Sequence, residues 1–237
     1  MRRTKPASSF DRALLSPRER LIVALDFERE EEALGLVESL GEEVLIYKVG
    51  SQLFTRSGPS VVRELRARGK RVFLDLKYHD IPATVAAASL EAARLGVFML
   101  NVHASGGYEM MRACAEACRK VPEPPLALAV TVLTSLGTED MRGLGLPTNM
   151  EEQVLRLARL ALEAKMDGLV ASPREAPLLR RELGPEPVIA TPGVRPLGAG
   201  EEELHDQKRV SDPATALAGG ADFIVVGGPR PAAPSPR

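Results

Sequence analysis

The residues best placed to do chemistry lie in one run, Phe73-Leu74-Asp75-Leu76-Lys77-Tyr78-His79-Asp80, where acidic and basic groups interrupt an apolar segment. If the segment is a strand, its period of two puts Asp75 and Lys77 on the same side, about 7 Å apart along it. Asp80 follows on the loop beyond. An ionised group pushed toward a low-dielectric interior is very costly unless it is paired. A Lys alone in an apolar pocket would lose its proton, whereas one flanked by two carboxylates keeps it. The pattern therefore predicts a held, protonated cation rather than a Schiff-base nucleophile. Similar groups recur at the ends of other apolar runs: Asp26, Lys48, Asn101 with His103, and Thr134 with Ser135.

Such repetition calls for a scaffold that gathers strand ends at one place. Eight short runs rich in Val, Ile and Leu alternate with longer segments of helical period: 21–26, 44–49, 71–77, 97–102, 126–133, 167–171, 187–191 and 221–226. Alternation of this kind is the mark of βα units around a parallel sheet, and strands this apolar are buried on both faces. Eight units in a single domain of 237 residues point to a closed (β/α)8 barrel, whose working end is the C-terminal mouth of the strands. No glycine-rich fingerprint follows the first strand, which counts against a dinucleotide site. Gly41, Gly69, Gly96 and Gly184 each fall between a helical stretch and the next strand, where a left-handed helix terminus is wanted. Residues 1–20 read as a lead-in and 229–237 as a loose, Pro-rich tail, with one domain spanning 1–237.

The 31 Lys and Arg against 32 Asp and Glu leave a formal charge of −1, so no strong field favours nucleic acid or an anionic membrane. No apolar run approaches the ~20 residues that span a bilayer, and the start carries no secretory pattern. A cytoplasmic protein is expected. Cys114 and Cys118, four apart with no ligating partner nearby, read as reduced thiols in a helical packing stripe with Met110 and Met111. His103 reads as a barrel histidine rather than a metal ligand.

With these residues in hand, the stretch from Asp75 to Thr84 resembles the D-x-K-x-x-D-I-P-x-T signature of the orotidine 5′-phosphate decarboxylase family. Leu25-Asp26, Tyr47-Lys48-Val49-Gly50, the segment from Val130 to Ser135, Thr191-Pro192-Gly193-Val194-Arg195-Pro196 and Asp206-Gln207-Lys208-Arg209-Val210 resemble its other motifs in the same order. The resemblance implies decarboxylation of orotidine 5′-monophosphate on a (β/α)8 barrel, with no metal and no organic cofactor, by a homodimer with shared sites. It implies that Lys77 donates a proton to the ring carbon that loses CO2, that Asp75 faces the substrate carboxylate, and that Lys48 completes a charge network. It further implies that Asp80, with Ile81 and Thr84, reaches into the partner's site and that Asp26, and Lys48 with it, binds the ribose. Thr134 and Ser135 would contact the pyrimidine. Pro192, Arg195, Gln207, Gly227 and Gly228 would surround the phosphate. One departure stands out. The family pattern places Arg directly after the last Val-Val-Gly, and this chain has Gly228 there, with Arg230 two residues on. Residues 229–237 are too few and too Pro-rich for a closing eighth helix, which a change of reading frame near codon 228 would explain.

Overall fold

In the computed structural model, which describes residues 15–194 and 212–227, eight parallel strands close into a ring in chain order. They are β1 (Leu21–Ala24), β2 (Ile46–Gly50), β3 (Arg71–Tyr78), β4 (Met99–His103), β5 (Leu126–Val130), β6 (Gly168–Val170), β7 (Val188–Val194) and β8 (Phe223–Gly227). β1 pairs with both β2 and β8, so the sheet has no free edge. The helices are α1 (Pro17–Arg20), α2 (Glu30–Leu40), α3 (Ser51–Ser57), α4 (Ser60–Ala67), α5 (Pro82–Arg94), α6 (Tyr108–Cys118), α7 (Thr138–Gly143), α8 (Met150–Glu163), α9 (Ala176–Leu183) and α10 (Pro213–Ala218). The closed parallel barrel is the architecture that the alternation of apolar runs and helical segments predicts. Among the described residues, no helix is long and apolar enough to cross a membrane. Residues 1–14 and 228–237, which include most of the proposed lead-in, the tail and the position of any closing helix, lie outside the described residues.

Local chemistry explains the starts and stops. α8 begins where the Asn149 side chain accepts the Glu152 backbone N–H at 3.2 Å, with Glu151 and Glu152 at the positive end of the helix dipole. α5 has Pro82 at its first position, where no backbone donor is missed. Gly41, Gly69, Gly96 and Gly184 all adopt positive φ, from 47° to 75°, as their place between helix and strand requires.

Two apolar layers fill the molecule. Between ring and helices lies a large cluster including Val37, Tyr47, Leu65, Leu74, Leu100, Met110, Met111, Cys114, Cys118 and Leu169. Inside the ring sit Ile22, Ala24, Ile46, Phe73, Met99, Leu126, Leu128, Val130, Val170, Val188, Ala190, Phe223 and Val225. These inner residues recur at every second position, as alternation along a barrel strand demands.

At the N-terminal floor, polar residues just before a strand tie neighbouring units together. Lys70 Nζ donates to the carbonyls of Gly41 and Val44 at 2.6 and 3.2 Å. Asp167 accepts the Ala127 N–H at 2.9 Å, and Asp222 accepts the Ile189 N–H at 2.8 Å. Arg180 adds a clasp, donating to Asp222 at 2.9 Å and to the carbonyl of Gly220 at 2.7 Å. Because Asp222 is buried, its replacement strands the Ile189 N–H and takes the carboxylate away from the Arg180 guanidinium. Asp222→Ala should therefore lower stability by about 3 kcal/mol, read as a reduced urea midpoint, while leaving the mouth of the barrel intact.

Candidate active site

On β2, β3 and β4 the inward-facing stripe is apolar low in the barrel and turns polar toward the mouth. On β2, Ile46 gives way to Lys48; on β3, Phe73 gives way to Asp75 and Lys77; on β4, Met99 gives way to Asn101 and His103. Cross-strand register brings these groups together, with Lys48 level with Phe73 and Gly50 level with Asp75. Four charged side chains then alternate in sign. Asp26 accepts from Lys48 Nζ at 2.9 Å, Lys48 Nζ lies 3.6 Å from the second oxygen of Asp75, and the first oxygen of Asp75 accepts from Lys77 Nζ at 2.6 Å.

Burial grades along this chain of charges. The side chains of Asp75 and Lys48 are 12% and 13% exposed, whereas Lys77 is 34% exposed and so reaches the open mouth. Burial works against the charge on Lys48, but Asp75 and Asp26 outweigh it and hold the ammonium above its ordinary range. Burial likewise pushes Asp75 up, yet Lys48, Lys77 and a hydrogen bond from Asn101 pull further, leaving the carboxyl below its usual range. Lys48 and Asp75 are thus both charged at neutral pH, each stabilised by the other and by its further neighbours. Gly50 keeps room for this. A β-carbon there would stand 3.2 Å from Lys48 Nζ and 3.6 Å from the Asp26 carboxylate.

Asn101, wholly buried on β4, donates to Asp75 at 2.6 Å and accepts the backbone N–H of Lys77 at 2.9 Å. The sequence marks it as a polar residue inside an apolar run but assigns it no role. The signal was its burial within an inward stripe at the level of Asp75. Lys77 itself adopts φ +50°, in the left-handed region, where the pairing of β3 with β4 shifts register.

Several expectations are corrected. Among the described residues, Lys77 is flanked by the carboxylate of Asp75 alone, since Asp80 is exposed and its carboxylate accepts the Ile81 N–H at 2.6 Å. The second carboxylate of the network is Asp26. It lies two residues past the end of β1, which stops at Ala24 rather than continuing to 26. β5 ends at Val130 and not at 133, so Thr134 and Ser135 stand in a turn, one half-buried and the other exposed. β7 extends past 191 through Pro192 to Val194, with an irregularity at Gly193 (φ +80°) where its pairing with β8 slips.

Ile81 is 66% exposed and opens onto α5 beside exposed Thr84. Gly227 ends β8 at the surface. Arg195, Gln207 and Gly228 lie outside the described residues. His103 stacks obliquely on His79, with ring centroids 5.3 Å apart, and burial followed by the nearness of His79 and Lys77 holds its pKa down. Among the described residues no group of three or more His, Cys, Asp and Glu side chains could hold a metal ion.

Comparison with known proteins adds to this geometry. The profile of the "Orotidine 5'-phosphate decarboxylase / HUMPS family" matches residues 19–237. The orotidine 5′-phosphate decarboxylase of Nitrosococcus oceani is 52% identical over 217 residues, covering 92% of each chain. That of Geobacter sulfurreducens is 51% identical over 222 residues with the same coverage. Among solved structures, the orotidine 5′-phosphate decarboxylase of Lactobacillus acidophilus superposes with a TM-score of 0.76 at 35% identity, covering 87% of this chain and 89% of that one.

The charge network has a pH signature. Asp75 titrates lower in the fold than in the unfolded chain, so its contribution is fully present above the ordinary carboxylate range and is lost as pH falls through the lowered value. Lys48 is the mirror case, contributing below the ordinary ammonium range and losing that as pH rises through its raised value. Asp75→Asn should flatten the acid limb of stability against pH. It should also cost about 2–4 kcal/mol at neutral pH, because Lys48 and Lys77 are left without the charge between them. Urea unfolding across the acid range checks both.

Proposed function

The chain belongs to the orotidine 5′-phosphate decarboxylase / HUMPS family, and on that premise we propose that it converts orotidine 5′-monophosphate to uridine 5′-monophosphate without metal or organic cofactor. The observation that carries this reading is the ammonium of Lys77, 2.6 Å from Asp75 and reaching the mouth of the barrel, with Lys48 and Asp26 continuing the alternation behind it.

The chemistry asks for such a group. When the bond from ring carbon to carboxylate breaks, CO2 departs and its bonding pair remains on a carbon with no electron sink. A positive charge already fixed beside that carbon stabilises the developing carbanion without reorganisation. Lys77 then transfers its proton to the same carbon, forming the C–H bond, and regains a proton from water. Proton donation by a placed side chain contributes ~10²–10⁴-fold and a fixed donor about 10²–10³-fold, and the two overlap in this one residue. Asp75 faces the substrate carboxylate, so carboxylate-to-carboxylate repulsion is relieved as CO2 leaves. Binding of ribose by Asp26 and Lys48 and of phosphate by Pro192, Arg195, Gln207, Gly227 and Gly228 holds the base in that unfavourable place. Thr134 and Ser135 meet the pyrimidine. In a homodimer, Asp80, Ile81 and Thr84 of each protomer complete the site of its partner.

Lys77→Ala should leave a folded protein whose turnover, followed by loss of orotate absorbance, lies near background. A variant keeping a tenth of wild-type turnover would refute the assignment. Wild-type activity should survive EDTA, which separates this reading from a metal-dependent sugar-phosphate lyase on the same barrel. Gly228→Arg should tighten binding of uridine 5′-monophosphate roughly ten- to 100-fold by calorimetry, the worth of a hydrogen bond to a charged group.

A further inference from the structure

We propose that Asn101 is a positioning residue for the proton donor, fixing the backbone of Lys77 and the carboxylate of Asp75 with one carboxamide and so setting where the ammonium stands. The inference rests on the reading of Lys77 given above.

β3 and β4 pair regularly through Phe73 with Met99 and Leu74 with Leu100, then resume at Tyr78 with Val102. From Leu74 to Tyr78 the chain advances 78 − 74 = 4 residues, while from Leu100 to Val102 it advances 102 − 100 = 2. The two extra residues of β3 lose regular ladder partners in a region where an orphaned backbone donor would be costly. The Asn101 side-chain oxygen takes the place of a strand carbonyl, accepting the Lys77 N–H at 2.9 Å. It thereby holds Lys77 at φ +50°, a conformation unfavourable for any residue with a β-carbon.

The other end of the same carboxamide donates to Asp75 Oδ1 at 2.6 Å, the oxygen that also accepts Lys77 Nζ at 2.6 Å. Lys77 is therefore tied at both ends, backbone and tip, to one amide–carboxylate pair. Which end of the carboxamide faces which partner is forced, since a backbone N–H can only donate and an ionised carboxylate can only accept. Asn supplies an acceptor and a donor at this length whatever the pH. Ala supplies neither, and an ionised Asp would set a second negative charge against Asp75.

Loss of this clamp should impair the placement of the ammonium more than the binding of substrate, and small misplacements of a reacting group can cost about 10²-fold. In Asn101→Ala, kcat should fall roughly 10- to 100-fold with KM within about threefold, and hydrogen exchange at the Lys77 amide should quicken. Asn101→Asp gives the sharper signature. Two carboxylates in contact cannot both stay ionised, and the neutral acid offers a carbonyl to Lys77 and an O–H to Asp75, as the carboxamide does. The ratio of its kcat to wild type should therefore climb about tenfold or more from about pH 8 to about pH 5.5. The groups facing position 101 are Asp75 and Lys77 on β3, Lys48 on β2 and His103 on β4 with His79 beyond it, while its partner on β5 is apolar Leu128. These are common to both enzymes, so the ratio reports the new carboxyl titrating together with Asp75.

An alanine variant with kcat within about twofold of wild type, or a pH-independent ratio for Asn101→Asp, would overturn the proposal. If the alanine variant does not fold, the aspartate ratio decides alone. A wild-type chain without turnover would dismiss the decarboxylase reading. Amide exchange at Lys77 in wild type and Asn101→Asp at high pH would then settle the positioning claim, faster exchange in the variant supporting it and equal rates overturning it.

Discussion

The pairing of Asp75 with two ammonium groups and one carboxamide is the interaction on which the site depends. Lys48, Lys77 and Asn101 all converge on this one buried carboxylate. A lone carboxylate at that depth would be neutral, and a lone ammonium beside it would lose its proton. Together, and with Asp26 beyond Lys48, they form a sequence of opposite charges whose formal sum is zero, within which Lys48 and Asp75 each offset the cost of the other's burial. The arrangement gains little stability over a well-packed apolar core. On the proposed reading, its value lies in presenting one cation of fixed position at the open mouth of the barrel.

The barrel divides its polar residues by height. Those at the floor, Lys70, Asp167, Arg180 and Asp222, are satisfied largely by backbone groups of neighbouring units and knit successive βα repeats together. Those at the mouth bond mainly to each other. The apolar interior between them, with Phe73, Met99, Leu128 and Phe223 among its members, separates the two sets and supplies the low dielectric that strengthens the upper one. Near Asn101 the two functions meet, because a register shift within the sheet is satisfied by a side chain that also belongs to the charge network.

Much of this was legible in the linear sequence because it is periodic. Alternation of apolar runs with helical segments predicts the barrel, and the period of two within a strand predicts that Asp75 and Lys77 share a face. What was not legible depends on neighbours distant along the chain. Asp26, 22 residues from Lys48, becomes its partner through the pairing of β1 with β2, while Asp80, much nearer to Lys77 in sequence, turns to its own adjoining backbone. The ends of β1 and β5 were set too late because an apolar run continues past the last ladder bond. The dual bonding of Asn101 follows from a shift in strand pairing, which no local pattern encodes.

Closure of the ring rests on Leu21, Ile22, Val23 and Ala24 pairing with Ile224, Val225, Val226 and Gly227. Among the described residues, every ladder bond between β1 and β8 is therefore made upstream of Gly228. Variation past that point thus leaves the described ring without an unpaired strand, the template on which chains of this kind would otherwise add to one another and aggregate.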